Sequence, residues 1–496
     1  MNIATILDMA AEAFGERTAL VAGTSRYCYA DLRAHALRAA RMFKASGAGY
    51  VALLDVNSPA GPAALFGAAY AGIPYVPINY RLTRTEINEL LGRVAPAIVV
   101  VGPGQRPQID ERADLTIVDR DDVLALADTD GEPPVPPEDG RAIAVQLFTS
   151  GTTGKPKAAI LRHENLMSYI VGTVEFASAD TDDAIIVAVP PYHIAGISAV
   201  LSSTYACRRM VQLERFDPEL WIETVRRERV THAFLVPTML QRIVEQLEAG
   251  ASSIDLPTLR AIAYGGGKMP LVTIEKAMRL LPHVDFTNAY GLTETSSTIA
   301  VLTPEDHRTA FASHDPAIRR RLGSVGKPAA VEIQIRDEAG KVLGPEQAGL
   351  VFVRGPQVSG EYLALGSQLD ADGWFPTKDR GYMDADGYLY LDGRADDVIV
   401  RGGENISPGE IEDVLLSHPA VADAVCVAMP DVEWGEAVAA AVVLKPGAQV
   451  SVAELQELVR SKLRSSRVPQ RIVFKDALPY NETGKLLRRV IRQEFA

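Results

Sequence analysis

The sequence predicts an α/β protein: a large N-terminal domain of α/β sheet subdomains ending in a small β-barrel-like subdomain, then a small α+β C-terminal domain. Three observations predict it. Helix and strand signals alternate up to about residue 330, the pattern of a largely parallel sheet covered by helices. Residues 330–395 change to short strands separated by turns. Past Arg394 capped helices and apolar strands return on a smaller scale, which sets the expected domains at 1–395 and 396–496.

The elements follow in order. Asp31 is placed to cap a helix running to about Ser46, with Leu32, Ala36, Ala39, Ala40 and Phe43 on one face. Val51 to Val56 reads as a strand. Thr83-Arg84-Thr85-Glu86 is a capping box ahead of Ile87, Leu90 and Leu91. Ile98 to Val101 and Leu115 to Val118 read as short buried strands, and Asp128 to Gly140 as a surface linker. Pro218 to Arg229 and Pro237 to Glu248 read as helices around a strand at His232 to Val236, with a further strand from Leu259 to Ala263. Val331 to Ile335, Gly349 to Arg354 and Gly387 to Leu391 are the short strands of the small subdomain. Ser407-Pro408-Gly409-Glu410 is a capping box with proline at the first helical position. Strands at Val421 to Val427 and Ala437 to Leu444 and a helix capped by Ser451 complete the C-terminal domain.

Composition narrows the function. The chain is 47% hydrophobic and 23% charged, as in a globular enzyme with a large core. A net charge of −13 argues against a nucleic-acid partner. Cys28, Cys207 and Cys426 are far apart, which fits a reduced, cytoplasmic setting rather than a disulfide framework. No apolar run is long enough for a signal peptide or a bilayer span. No His/Cys/Asp cluster suggests zinc.

The chemistry is carried by Thr149-Ser150-Gly151-Thr152-Thr153-Gly154-Lys155-Pro156-Lys157, which follows the strand-like run Ala142 to Phe148. Glycines let backbone approach a ligand closely, and the hydroxyls and lysines suit a polyphosphate. It is not a Walker A loop, because Pro156 follows Lys155 and no Ser or Thr stands there to hold magnesium. Taken alone, the same loop also reads as an ordinary polar turn.

Five further segments decide between these readings. They are Pro190-Pro191-Tyr192-His193, Tyr290-Gly291-Leu292-Thr293-Glu294, Thr377-Lys378-Asp379, Gly393-Arg394-Ala395-Asp396-Asp397 leading to Arg401-Gly402-Gly403-Glu404-Asn405-Ile406-Ser407-Pro408, and Pro479-Tyr480-Asn481-Glu482-Thr483-Gly484-Lys485. In this order the set resembles the adenylate-forming superfamily, most of all its acyl-CoA synthetase branch, over essentially the whole chain.

The resemblance implies a reaction in two halves, with ATP, Mg2+ and coenzyme A. A carboxylate displaces pyrophosphate from ATP to give acyl-AMP, and a thiol then displaces AMP. It implies that Lys485 bridges carboxylate and α-phosphate, that Glu294 holds magnesium and that Thr293 meets the α-phosphate. Thr149, Ser150, Gly151, Thr152, Thr153, Gly154 and Lys157 would cradle the β- and γ-phosphates. Asp379 and Arg394 would bind ribose, and Tyr290 would lie against adenine, walled by Gly265, Gly266, Gly267, Asn288, Ala289 and Gly291. The acid's tail would enter near His193, Gly196, Pro237, Thr238 and Gly266. The small domain of the family rotates between half-reactions; Asp396 aligns with its hinge, and Gly402 and Gly403 with the thiol path.

The stretch after His193 is small and apolar, with no fixed charge for a substrate amino group, which favours a fatty, aryl or other apolar acid. Residues 460–496 hold ten Lys or Arg and three Asp or Glu; this basic tail reads equally as a seat for the coenzyme A 3′-phosphate and as a solvated helix face. Two positions depart from the family pattern, Lys378 and Ala158, where glycine is common. A stand-alone adenylating enzyme that passes acyl-AMP to a carrier-protein thiol is the alternative, a decayed nucleotide-binding scaffold is a second, and a homodimer is left open.

Overall fold

The computed structural model describes residues 1–125, 134–149, 156–250, 255–480 and 486–496. Two large sheets dominate it. The first has nine strands, in the order Lys327–Pro328, Ser297–Leu302, Asp285–Leu292, Ala261–Gly265, His232–Leu235, Ala184–Val187, Arg209–Gln212, Thr18–Ala22 and Ser25–Cys28. The six inner strands pair in parallel, and antiparallel strands close both edges.

The second sheet has eight strands. Tyr75–Pro77, Tyr50–Leu54, Ala97–Val101 and Leu115–Asp119 continue in parallel from Ile143–Thr149. On the other side of Ile143–Thr149 come the antiparallel strands Lys157–Arg162, Glu361–Tyr362 and Gly366–Ser367. Every residue of Ala97–Val101 is buried, as a parallel strand covered on both faces requires. Between the sheets the largest core gathers side chains from both and from helices Ala4–Phe14, Tyr29–Ala45, Ala60–Ala71 and Ile194–Tyr205.

The helix expected to start at Asp31 starts earlier. Cys28 is the N-cap, and Asp31 is the third helical residue, its carboxylate accepting the Cys28 N–H at 2.9 Å. Thr83 caps Arg84–Arg93 through the expected reciprocal pair with Glu86. Ser407 does not cap Pro408–Leu416; its hydroxyl donates to the Asp392 carbonyl at 2.6 Å instead. The expected linker at Asp128 to Gly140 lies partly outside the described residues.

Strands Glu332–Arg336, Gly349–Arg354, Phe375–Met383 and Leu389–Arg394 form a four-stranded antiparallel sheet, the small subdomain expected from residues 330–395. After it, Ile399–Arg401, Glu404–Ile406, Val421–Asp431, Gly435–Leu444 and Arg471–Lys475 form a separate sheet. Helices Pro408–Leu416 and Val452–Lys462 pack on one face of it and Arg488–Glu494 on the other. No helix among the described residues is long and apolar enough to cross a membrane.

Candidate active site

Ligands in open α/β sheets bind beyond the carboxyl ends of parallel strands, and the sequence motifs gather there. Ala261–Gly265 runs into Gly265, Gly266 and Gly267, and its neighbour Asp285–Leu292 contains Asn288, Ala289, Tyr290 and Gly291. A Cβ on Gly265 would stand 2.1 Å from the Ala289 carbonyl oxygen, and one on Gly291 would stand 1.8 Å from that of Ser297. Both glycines are thus set by the approach of neighbouring backbones. Gly266 has φ +82° and is exposed; beneath this loop begins the helix Pro237–Glu248, with Pro237 within 3.7 Å of a Cβ built on Gly267. Asn288 is turned away, its amide donating to the Ser324 carbonyl at 3.1 Å.

Asp379 and Arg394 are cross-strand partners in the small antiparallel sheet. The Arg394 Nε lies 3.2 Å from Asp379 Oδ1, and the Tyr290 hydroxyl donates to Oδ2. Arg394 also donates to the Thr377 carbonyl at 2.8 Å. Burial opposes the charge on Arg394, but Asp379, Tyr290 and Glu294 together outweigh it and its pKa is raised. Burial, then the Asp379 charge, pushes the Tyr290 phenol well up, so it stays a donor. Lys378 between them has φ +63°, which explains the usual glycine at this position. Ala158 is different: it pairs with Phe148 inside a regular buried ladder, where alanine fits without strain.

Thr293 and Glu294 begin a short 3-10 turn at the end of Asp285–Leu292. Two non-glycine residues with positive φ follow, Ser296 at +56° and Ser297 at +119°, strain of the kind concentrated at functional sites. Glu294 is buried, and its Oε1 accepts from the Tyr362 hydroxyl. Burial and the Glu294 charge raise the Tyr362 pKa. The Lys157 ammonium stands 5.6 Å from the centre of the same ring. Thr149 and Lys157 face each other across a hairpin, so the base of the glycine–threonine loop meets Glu294 through Tyr362. Ser150, Gly151, Thr152, Thr153 and Gly154, and likewise Lys485, lie outside the described residues.

One carboxylate suits Mg2+, which keeps phosphate oxygens and water among its ligands. Glu294 Oε2 accepts no hydrogen bond among the described residues. No group of three or more His, Cys, Asp or Glu among them could cage an ion. The donor set therefore fits a cation that arrives on a nucleotide.

His193 is the N-cap of helix Ile194–Tyr205. Gly196 faces inward on that helix, where a Cβ would stand 2.7 Å from the Pro190 carbonyl oxygen, and it lines a small cavity with Asn57, Leu65, Tyr75 and Gln212. A second, open groove runs along the same helix toward strands Asp285–Leu292 and Ser297–Leu302, with Tyr169, Ser202, Arg208, Ala289 and Thr298 among its walls. Gly196 and Pro237 do not line this groove.

Gly402 and Gly403 form the turn between Ile399–Arg401 and Glu404–Ile406, with φ +57° and +83°, and a Cβ on Gly403 would point into open space. Asp396 sits in a short 3-10 turn after Arg394. Lys268, next to the glycine loop, donates to the Gly409 carbonyl at 3.0 Å and to Asp413 at 2.8 Å. Arg488 forks onto buried Glu412 and reaches Asp397 at 3.6 Å, three residues after Lys485 in sequence.

The described geometry and the motif order converge with what the chain is similar to. The AMP-binding enzyme family matches residues 7–363, and the AMP-binding enzyme C-terminal domain matches 410–485. The chain belongs to the AMP-binding enzyme family. It is an AMP-forming acid–thiol ligase that works with ATP and Mg2+, as the sequence motifs implied. An indoleacetate–CoA ligase of Aromatoleum aromaticum is 32% identical over 94% of this chain and 93% of that protein. A fatty acid–[acyl-carrier-protein] ligase of Streptomyces coeruleorubidus is 33% identical over 93% of this chain and 89% of that protein. The structure of o-succinylbenzoate CoA synthetase from Bacillus subtilis, in complex with its acyl-adenylate intermediate, superposes with a TM-score of 0.84 at 29% identity, covering 98% of this chain and 97% of that one.

Sequence reasoning missed Tyr362, Arg208, Lys268 and Arg488. Lys268 directly follows the Gly265–Gly267 run, while the others stand outside any glycine-rich or capped motif; Tyr362, Lys268 and Arg488 acquire their partners only through the fold.

Proposed function

We propose that this ligase activates an apolar, aryl or fatty, carboxylic acid as acyl-AMP and transfers the acyl group to coenzyme A. The observation that carries the reading is the chain of contacts from Lys157 through Tyr362 to Glu294, beside the Asp379–Arg394–Tyr290 cluster. It brings together hydroxyl, cationic and carboxylate groups of the kinds a nucleoside polyphosphate needs, which supports the reading. The aryl and fatty acids named for the relatives support the choice of acid.

In the first half-reaction a carboxylate oxygen of the acid bonds to the α-phosphorus of ATP and the bond to pyrophosphate breaks. Two anions must meet, so the protein's task is to shield charge and position groups. Thr149, Ser150, Gly151, Thr152, Thr153, Gly154 and Lys157 hold the β- and γ-phosphates, and Thr293 the α-phosphate. Glu294 would hold Mg2+, which when bound would supply charge neutralisation at the phosphates. Asp379, held by Tyr290 and Arg394, accepts from the ribose hydroxyls, with the adenine between Tyr290 and the Gly265–Gly267 loop. Lys485 bridges the two reacting anions; loss of such a donor costs roughly 3–4 kcal/mol. In the second half-reaction a thiolate attacks the acyl carbonyl and AMP leaves with the bonding pair. For that step residues 396–496 swing about Asp396 as a separate domain, removing Lys485 and bringing the Gly402–Gly403 turn to the thiol's path.

The fatty acid–[acyl-carrier-protein] ligase among the relatives favours a second reading, with a carrier-protein thiol as acceptor. Pyrophosphate release across fatty, aryl and polycyclic acids, followed by thioester assay with free coenzyme A against carrier protein, tests both. The expected result is acid-dependent release and thioester on coenzyme A. Lys485→Ala should abolish release yet convert supplied acyl-AMP to thioester. Absence of acid-dependent release, or equal loss of both steps in the variant, overturns the reading.

A further inference from the structure

The groove beside helix Ile194–Tyr205 is lined by Arg208, whose side chain has no partner among the described residues. Arg208 follows that helix, its backbone held by the bond from its N–H to the Ser203 carbonyl at 2.8 Å and by the Tyr29 hydroxyl, which donates to its carbonyl at 2.9 Å. Its backbone is thus fixed, and the residue lines the groove with Ala289, Thr298 and Ser202. The side chain is half-buried, and Nε is fully buried without a hydrogen-bond partner. Among the described residues the guanidinium makes no ion pair, although Glu175 lines the same groove. Glu175 is exposed at the solvent rim. Arg17 nearby adds repulsion, and it differs in being tied to the Ala179 carbonyl at 3.0 Å and to that of Asp180.

An arginine is always charged and carries five donors, and a buried or half-buried one normally finds a carboxylate or carbonyls. A favourable place near a helix C-terminus explains a cation here, but an exposed side chain would serve that purpose equally well. What the helix end leaves unexplained is an arginine that lines an open groove while its guanidinium makes no hydrogen bond or ion pair among the described residues. Planar, two-pronged donation is what carboxylates match best. The groove is lined by Thr287 and Ala289, on one face of the strand that carries Tyr290 of the nucleotide cluster on its other face, and by Arg208. An acid laid along this groove, with its reacting carboxylate at the end of the strand that carries Tyr290, would bring its far end to Arg208.

We propose that the distal end of this groove is a subsite for a second anionic oxygen group on the acid, bound by Arg208, so that the substrate class is an apolar-bodied acid with a carboxylate at its far end. The proposal rests on the reading of this chain as an acid-activating ligase. It also replaces the expectation, drawn from the residues after His193 alone, that the acid site carries no fixed charge.

Matched acids test it: octanoate against octanedioate, and 3-phenylpropanoate against 3-(4-carboxyphenyl)propanoate. Pyrophosphate release is measured with the wild-type protein, R208M and R208K. The wild type should prefer the diacid of at least one pair by about 10- to 100-fold in kcat/KM, the range for a hydrogen bond to a charged group. R208M should bring that ratio close to one, and R208K should restore part of it. A wild-type ratio near one for both pairs, or a ratio that R208M leaves unchanged, overturns the proposal. Failure of the ligase reading looks different: no acid releases pyrophosphate. Calorimetric binding of the same pairs then decides the subsite, since diacid affinity lost in R208M supports it and equal affinity of both proteins overturns it.

Discussion

The hydroxyl of Tyr362 hydrogen-bonds Oε1 of Glu294, joining strand Glu361–Tyr362 of one large sheet to the turn that ends a strand of the other. A neutral donor on a buried carboxylate holds its orientation without cancelling its charge. Tyr362→Phe should therefore keep the fold and weaken the use of Mg2+. The expectation is a roughly 10-fold or greater rise in the Mg2+ needed for half-maximal pyrophosphate release, in line with about 1.5–3 kcal/mol for a hydrogen bond to a charged group. An unchanged Mg2+ titration would remove Glu294 from the metal role.

Gly403 combines φ +83° with open space in front of its missing Cβ. Gly403→Leu should spare acyl-AMP formation and block thioester formation, measured as separate half-reactions. Because the left-handed backbone strains leucine by roughly 1–2 kcal/mol, Gly403→Ala serves as the control: it shares the strain without the bulk and should retain far more thioester activity. Equal thioester rates in both variants would rule out this path for the thiol.

Lys378 holds a left-handed backbone at φ +63° beside Asp379. Lys378→Gly should relieve about 1 kcal/mol of strain, partly offset by the entropy glycine loses on folding. The expected outcome is equal or slightly higher stability by denaturant titration, with ATP affinity preserved. A loss above about 1 kcal/mol would show that the lysine side chain contributes something the backbone account omits.

His307 is fully buried, and burial lowers its pKa from 6.5 to about 4. Its Nδ1 faces the Thr303 carbonyl at 2.9 Å and must carry the proton, so Nε2 accepts from the Tyr264 hydroxyl at 2.8 Å. The folded state binds a proton less readily than the unfolded chain. Its stabilising effect is therefore complete above pH 6.5 and is lost as pH falls toward 4. Between pH 7 and pH 5 the folded protein should lose about 2 kcal/mol through this residue. Denaturant titrations of His307→Gln should show a correspondingly flatter pH dependence; parallel curves would contradict the assignment.

Much of the architecture was legible because it is written locally. Alternating apolar runs and capped helices such as Thr83–Glu86 depend on neighbours a few residues away, and so does the change of style after Arg394. The pairing of Asp379 with Arg394 was anticipated only as shared ribose contact, while the strand register that makes them partners came from the fold. Cys28 as a cap was illegible, since a thiol is a weak acceptor and Asp31 advertised itself more strongly. Arg208 was read past because its neighbours in sequence, Cys207 and Arg209, give no hint of Ala289 and Thr298 across the groove. Tyr362 gains its meaning from Glu294, 68 positions away.

Lys268 ties the rim of the glycine loop to Gly409 and Asp413, with both charged partners about half exposed. Such a bond is weak enough for water and salt to compete with it. If residues 396–496 swing once per half-reaction, this clasp must open and close in every cycle. A much tighter bond would stall the enzyme in one posture, and none at all would leave that posture poorly assembled. Tempo, on this account, is set at the rim of the site, by a lysine that never touches the reacting atoms.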